Sequence, residues 1–179
     1  MAGLLLVNAA ELLRRPGSEK AVSVDVPLES VGVADDGRFD AGAEVSVRLR
    51  LESLTDGIVI DGAIEVPWHG TCRRCLAATG GTCRSEVREL YQRTRTDPDA
   101  FDLEGDQLDL AAMVREIVLL DVPTTPLCRP ECAGLCPTCG ANRNDEPCGC
   151  VEAPADPRWA ALDQLRGLGG DEAADADRD

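Results

Sequence analysis

The chain has 179 residues, 33 acidic against 18 basic side chains, a net charge of -15 and only 3% aromatic residues. That length holds one domain, or one domain with an appendage. The negative field opposes indiscriminate binding to polyphosphates, and the scarcity of large apolar side chains leaves a modest core.

Residues 4–7 (L-L-L-V) are too few for a signal-peptide core and follow no basic stretch, and no run approaches the ~20 apolar residues of a membrane span. A cytosolic chain is expected. Residues 8–15 read as a short helix capped by Asn8 and stopped by Pro16-Gly17. Residues 20–26 alternate apolar and polar and predict a strand; Asp35-Asp36-Gly37 predicts a turn. Val45, Val47, Leu49 and Leu51 share one face of a strand over 44–52. Asp56-Gly57 turns it into a partner over 58–68, so a hairpin is expected. A further strand over 82–93 leaves the C-R-R-C loop and runs back along the sheet. The acidic stretch 97–106 reads as an exposed loop, and 108–120 carries apolar groups at helical spacing, predicting a helix packed on the sheet. Residues 121–150 are rich in Pro, Gly and Cys and lack apolar periodicity, so they need an organiser other than a core. Asp156 and Pro157 open a short helix over 156–166, and 169–179 reads as a disordered acidic tail.

The cysteines carry the chemistry. Eight of nine fall into close pairs: Cys72 with Cys75, Cys128 with Cys132, Cys136 with Cys139, and Cys148 with Cys150. Thiols stay reduced in the cytosol, and an odd total does not close a disulfide framework, so metal ligation is the first reading. Two pairs make one tetrahedral thiolate site, so four pairs suggest two zinc ions. C-P-T-C-G suits a ligand turn: Pro137 stiffens it, and Gly140 permits a left-handed residue after the second thiol. With Cys148 and Cys150 it forms a local set. The second set joins Cys72 and Cys75 to Cys128 and Cys132 and closes a long loop. The alternatives are one ion shared by the six C-terminal cysteines with C-R-R-C left free, an iron–sulfur cluster, or a redox C-R-R-C. His69, the only histidine, is either a substitute ligand or an ordinary hairpin residue, and Cys83 reads as a small buried side chain. Trp68 and Trp159 read as packing residues.

Basic charge gathers in 71–95, where Arg73, Arg74, Arg84, Arg88, Arg93 and Arg95 face only Glu86 and Glu89. The plain reading is a solvated strand face; the functional one is a contact for an anionic partner. No nucleophile–histidine–acid set and no phosphate-cradling glycine loop is present, and a closed thiolate site leaves no position for a reactive water. A binding protein is therefore expected rather than an enzyme.

The succession N-A-A-E-L-L-R-R-P-G-S, C-R-R-C-L, L-D-L-A-A-M-V-R-E-I-V-L-L-D-V-P-T-T-P-L-C, C-A-G-L-C-P-T-C-G-A-N-R-N with C-G-C, and D-P-R-W-A-A-L-D-Q-L resembles the bacterial YceD family over residues 5–166. Members are described as large ribosomal RNA subunit accumulation proteins. The resemblance implies a role in accumulation or maturation of that RNA. It also implies that Cys72 and Cys75 match the C-x-R-C element, that Cys128 and Cys132 form the next metal-type pair, and that Cys136, Cys139, Cys148 and Cys150 form a separate cluster.

The expected architecture is α+β: a twisted antiparallel sheet or small open barrel with one packed helix and a Cys-rich, zinc-stapled C-terminal lobe. The expected divisions are 1-127, 128-166 and 167-179. The expected partner is large-subunit ribosomal RNA or a precursor particle, met through Arg73, Arg74, Arg84 and Arg88. The alternative is a basic ribosomal protein held by acidic faces. Neither a membrane nor a small-molecule substrate is expected.

Overall fold

Alternation of apolar and polar residues builds an open, twisted five-stranded sheet. The structure, a computed structural model, describes residues 3–151, 156, 158–160 and 162. The chain divides into two units between Leu135 and Cys136, so Cys128 and Cys132 fall with the sheet.

In the first unit, β1 (Leu6–Asn8) is followed by a single helical turn, α1 (Ala10–Leu13). The sheet then runs β2 (Glu19–Pro27), β3 (Glu44–Ser53), β4 (Gly57–Thr71), β5 (Ala78–Gln92) and β6 (Phe101–Asp102), with neighbours paired in that order. All these pairs are antiparallel except β5 with β6. On β3, Val45, Val47, Leu49 and Leu51 are buried while Glu44, Arg48 and Arg50 face water, as period-two alternation requires. Ile58, Ile60, Ile64 and Val66 of β4 and Val87 and Tyr91 of β5 extend the same buried face. The helix α2 (Ala111–Asp121) covers that face with Met113, Val114 and Val118. Gly62 allows β4 to approach β3: a Cβ there would lie 2.2 Å from the carbonyl oxygen of Arg48, and its φ is +153°.

The sheet differs from the sequence expectation around 97–110. Residues 97–106 are not wholly an exposed loop, because Ala100 and Leu103 are buried and β6 lies inside the stretch. Residues 107–109 form β7 (Gln107–Asp109), paired antiparallel to β1, so the helix begins three residues later than its apolar spacing suggests. L-D-L satisfies both a two-residue and a helical period. Burial of Leu108 and Leu110 in the core resolves the ambiguity toward strand, and the Asp109 carboxylate then accepts the Ala111 N–H at 2.9 Å.

β4 and β5 pair over fifteen residues each, whereas β3 reaches only Glu65. The outer part of this hairpin therefore projects as an arm with Cys72–Cys75 at its tip. Its free edge is not bare: His69 N–H donates to the Arg38 carbonyl at 2.8 Å, and Arg73 N–H to the Pro126 carbonyl at 2.9 Å. The segment after α2 thus returns along the arm and delivers Cys128 and Cys132 to its tip.

In the second unit Cys136 is buried and the other cysteines are half-buried or exposed. The helix expected over 156–166 lies largely outside the described residues, and the tail 169–179 wholly so. Among those described, the Asp156 carboxylate accepts the Arg158 N–H at 3.0 Å, as an opening cap would, and Trp159 stands 63% exposed rather than packed.

Candidate metal centres

Each C-x2-C turn folds in the same way. Cys72 N–H donates to the Ala77 carbonyl at 2.8 Å and Leu76 N–H to the Cys72 carbonyl at 2.9 Å. In the second unit Cys136 N–H donates to Ala141 at 2.8 Å and Gly140 N–H to Cys136 at 2.9 Å. This knuckle aims two sulfurs of one short loop at a common point.

Two clusters result. Cys72, Cys75, Cys128 and Cys132 place all four sulfurs within 4.8 Å of one another, and so do Cys136, Cys139, Cys148 and Cys150. In the first, Cys72 and Cys132 Sγ are 3.8 Å apart and Cys75 and Cys128 Sγ 3.6 Å. A tetrahedron with metal–sulfur bonds of ~2.3 Å has an edge of about 3.8 Å. Four sulfurs at such spacing cannot all ionise beside one another without a cation, so each set can hold a metal ion. His69 joins neither cluster; it is exposed on β4, 3.4 Å from the Asp40 carboxylate. Cys83 is half-buried against the core, 4.0 Å from Ser85 Oγ.

The electrostatics within each cluster are uneven. The backbone N–H of Cys75, with those of Cys128 and Arg74, draws the Cys72 thiol down to about 6. The N–H groups of Cys139 and Thr138 draw Cys136 down to about 5. Desolvation, then the neighbouring thiols, pushes Cys128 up to about 12, and the Cys139 and Cys136 sulfurs push Cys150 to about 12. Neighbouring backbone N–H groups thus favour one thiolate in each set, the form in which a cysteine ligates a metal.

Packing holds the first cluster together. Cys72, Cys75 and Cys132 are buried as a satellite core against Leu127 and Leu135. Arg74 braces it: its guanidinium donates to the carbonyls of Cys132 at 3.0 Å and Pro130 at 3.3 Å. Its own carbonyl accepts the Leu135 N–H at 3.0 Å. In the second cluster the turn between the pairs is fixed by Asn142, whose carboxamide oxygen accepts Asn144 N–H at 3.1 Å. Arg143 then lies 4.0 Å from Cys136 Sγ. In the sequence only its place between two ligand pairs points to Arg143.

The four arginines expected to meet an anionic partner divide. Arg74 is the brace just described. Arg84 pairs with Glu65 across the strands and with Glu86 on its own strand at 3.2 Å. Arg73 at the knuckle and Arg88 on β5 are exposed and make no side-chain ion pair among the described residues. Asp25, Asp61, Glu65 and Glu86 interleave with Arg48, Arg50, Arg84 and Arg88 on the open sheet face, which is therefore mixed rather than basic.

Fold and site together define a sheet protein with two knuckle-built, four-cysteine clusters, each able to hold a metal. The family model described as large ribosomal RNA subunit accumulation protein YceD matches residues 60–166. An uncharacterised protein of Mycobacterium tuberculosis is 32% identical over 180 residues, covering 93% of this chain and 84% of the relative. The large ribosomal RNA subunit accumulation protein YCED homolog 1, chloroplastic, of Arabidopsis thaliana is 33% identical over 161 residues, covering 72% of this chain and 50% of its own. No solved structure matches. The chain belongs to the YceD family. No helix among the described residues is long and apolar enough to cross a membrane.

Proposed function

We propose that this chain is a non-catalytic, cytoplasmic factor for large-subunit ribosomal RNA accumulation, stapled by two structural zinc ions and contacting ribosomal RNA or a precursor particle. Family membership supports the ribosomal role. The observation that carries the non-catalytic reading is that each cluster offers four sulfurs. A tetrahedral ion held by four thiolates has no open position at which to activate water. Arg73 and Arg88, without carboxylate partners among the described residues, are the members of the arginine run available to a partner.

A second reading is a holder for a basic ribosomal protein. It is favoured by the concave face where Glu89, Glu116 and Asp121 surround Leu120, itself 73% exposed. Burial and the nearby Glu116 and Asp99 raise the Glu89 carboxyl, which marks a face short of cations.

Sedimentation of the tagged chain with large-subunit precursors, before and after nuclease, separates the two. Association lost on nuclease treatment supports RNA contact. Salt-sensitive protein binding that survives nuclease supports the holder, and no association under either condition rejects both.

A further inference from the structure

The face of the first unit farthest in sequence from the cysteines carries a groove of about 760 Å³ between the end of α1 and the start of β2. Arg14, Arg15 and Lys20 line it, with Glu11, Asn8 and Ser18. The groove gathers three cations without carboxylate partners among the described residues, where six arginines elsewhere in the first unit are paired. Arg38, Arg48, Arg50, Arg84, Arg93 and Arg95 each lie beside a carboxylate, as an excess of acids predicts. Arg14 and Arg15 have no carboxylate partner among the described residues, and both are exposed. Lys20 donates to the Asn8 carbonyl at 3.1 Å, which holds its ammonium at the groove, and it has no carboxylate partner among the described residues. Glu19, also in the lining, lies 3.4 Å from Arg50, so part of the acidic charge is already answered.

The backbone under these side chains is held. Pro16 forbids continuation of α1. Arg15 N–H closes onto the Leu12 carbonyl at 3.0 Å, and Gly17, with φ +83°, turns the chain. Gly17 N–H then donates to the Ser53 carbonyl at 2.7 Å, and Ser53 N–H returns to Ser18 at 3.0 Å. An adjacent Arg-Arg pair on a pinned turn loses little backbone entropy on binding an anion.

We infer that the groove of Arg14, Arg15 and Lys20 binds the phosphate backbone of RNA. Two guanidinium forks and one ammonium suit phosphate oxygens. The lining holds no aromatic ring on which a base could stack, so the contact would position RNA without reading its sequence. The inference deepens the RNA-contacting form of the proposed function, and it lies outside the matched stretch 60–166.

The test uses the full chain with a short single-stranded polyuridine, read by fluorescence anisotropy across a salt series. Wild type is compared with Arg14→Ala/Arg15→Ala, with Lys20→Gln and with Arg73→Ala/Arg88→Ala; thermal unfolding checks that each is folded. The Arg14/Arg15 variant is expected to bind more weakly, with the slope of log affinity against log salt reduced by about 1.4, ~0.7 per lost phosphate contact. Lys20→Gln should reduce it by about half as much. An unchanged slope in both variants, or loss confined to Arg73→Ala/Arg88→Ala, overturns the groove. Sedimentation with large-subunit precursors, run in parallel, separates the two claims. RNA binding through the groove without association would sustain the groove and reject the ribosomal reading. Association that persists in Arg14→Ala/Arg15→Ala, together with an unchanged salt slope, would do the reverse.

Discussion

Leu76 stands in the first knuckle where Gly140 stands in the second, and both hold positive φ, +60° and +75°. Leu76 is the only non-glycine residue in that region among those described, and it is 65% exposed. The knuckle forces the conformation on whichever residue follows its second cysteine, because that N–H must reach back to the first cysteine's carbonyl.

Replacing Leu76 with glycine should therefore stabilise the protein. Relief of the left-handed strain is worth ~1–2 kcal/mol. The added freedom of the unfolded chain takes back ~0.4–1 kcal/mol. Little burial is lost, so Leu76→Gly should gain about 0.5 kcal/mol, while Gly140→Ala should lose about 1 kcal/mol. Urea unfolding midpoints at constant m-value check both; a lower midpoint for Leu76→Gly would mean that its side chain makes a contact worth more than the strain.

If the clusters are independent metal sites, Cys72→Ser/Cys75→Ser and Cys136→Ser/Cys139→Ser should each lose one ion from a total of about two per chain. Elemental analysis of protein purified without chelator reads this directly. The first variant should also destabilise the arm, because Cys72, Cys75 and Cys132 form their own small core. Loss of both ions on either change would show one shared site instead.

Much of this was legible in the sequence, for identifiable reasons. The alternation of Val45, Val47, Leu49 and Leu51 admits one face, and close cysteine pairs announce their own turns. Charge was legible only as a count. That Arg84 meets Glu65 depends on the β4–β5 register, and that Arg74 turns back to the Cys132 carbonyl depends on where the chain returns after α2. Neither follows from composition, so a run that reads as basic becomes a brace and an ion pair. Ala100 and Leu103 were hidden among acids because a two-residue strand such as β6 has no period to recognise.

Arg38 ties the end of α2 to the arm. Its guanidinium donates to the carbonyls of Val122 at 2.6 Å and Leu119 at 3.3 Å, pairs with Asp36 at 2.7 Å and lies over the Phe39 ring. It answers the unpaired carbonyls and the negative end of the helix together. Arg38→Ala should cost about 2 kcal/mol, and Arg38→Lys should recover less than half, since a point charge cannot serve carboxylate and carbonyls at once. Arg38 holds the Asp36 carboxyl below its usual range. A depressed folded value gives stability that is present above the unfolded pKa of about 4 and lost as pH falls through the lower folded one. The variant should thus lose less stability than wild type on acidification below about pH 4. Thermal unfolding at pH 7 and at low pH measures both effects.

Arg143 supplies the second cluster with a charge that its cysteines need. Its guanidinium lies beside Cys136 and Cys148 and is itself held more firmly protonated by them, Cys136 first. If the cluster holds a divalent ion, four thiolates around it leave two negative charges, which the neighbouring Arg143 offsets. Without it, protons compete better for the sulfurs, and acid should release the metal at higher pH. Arg143→Ala should raise the half-release pH of the second cluster by about half a unit at low ionic strength and by less in high salt. Arg143→Lys should retain most of the wild-type behaviour, because charge rather than fork geometry matters at this distance. A metallochromic dye that follows release during acidification can report each cluster separately when the other is removed by serine substitution. The first cluster serves as the internal reference: its curve should not move. Coincident curves for Arg143→Ala and wild type would show that the N–H groups of Cys139 and Thr138 suffice to hold Cys136 as the thiolate.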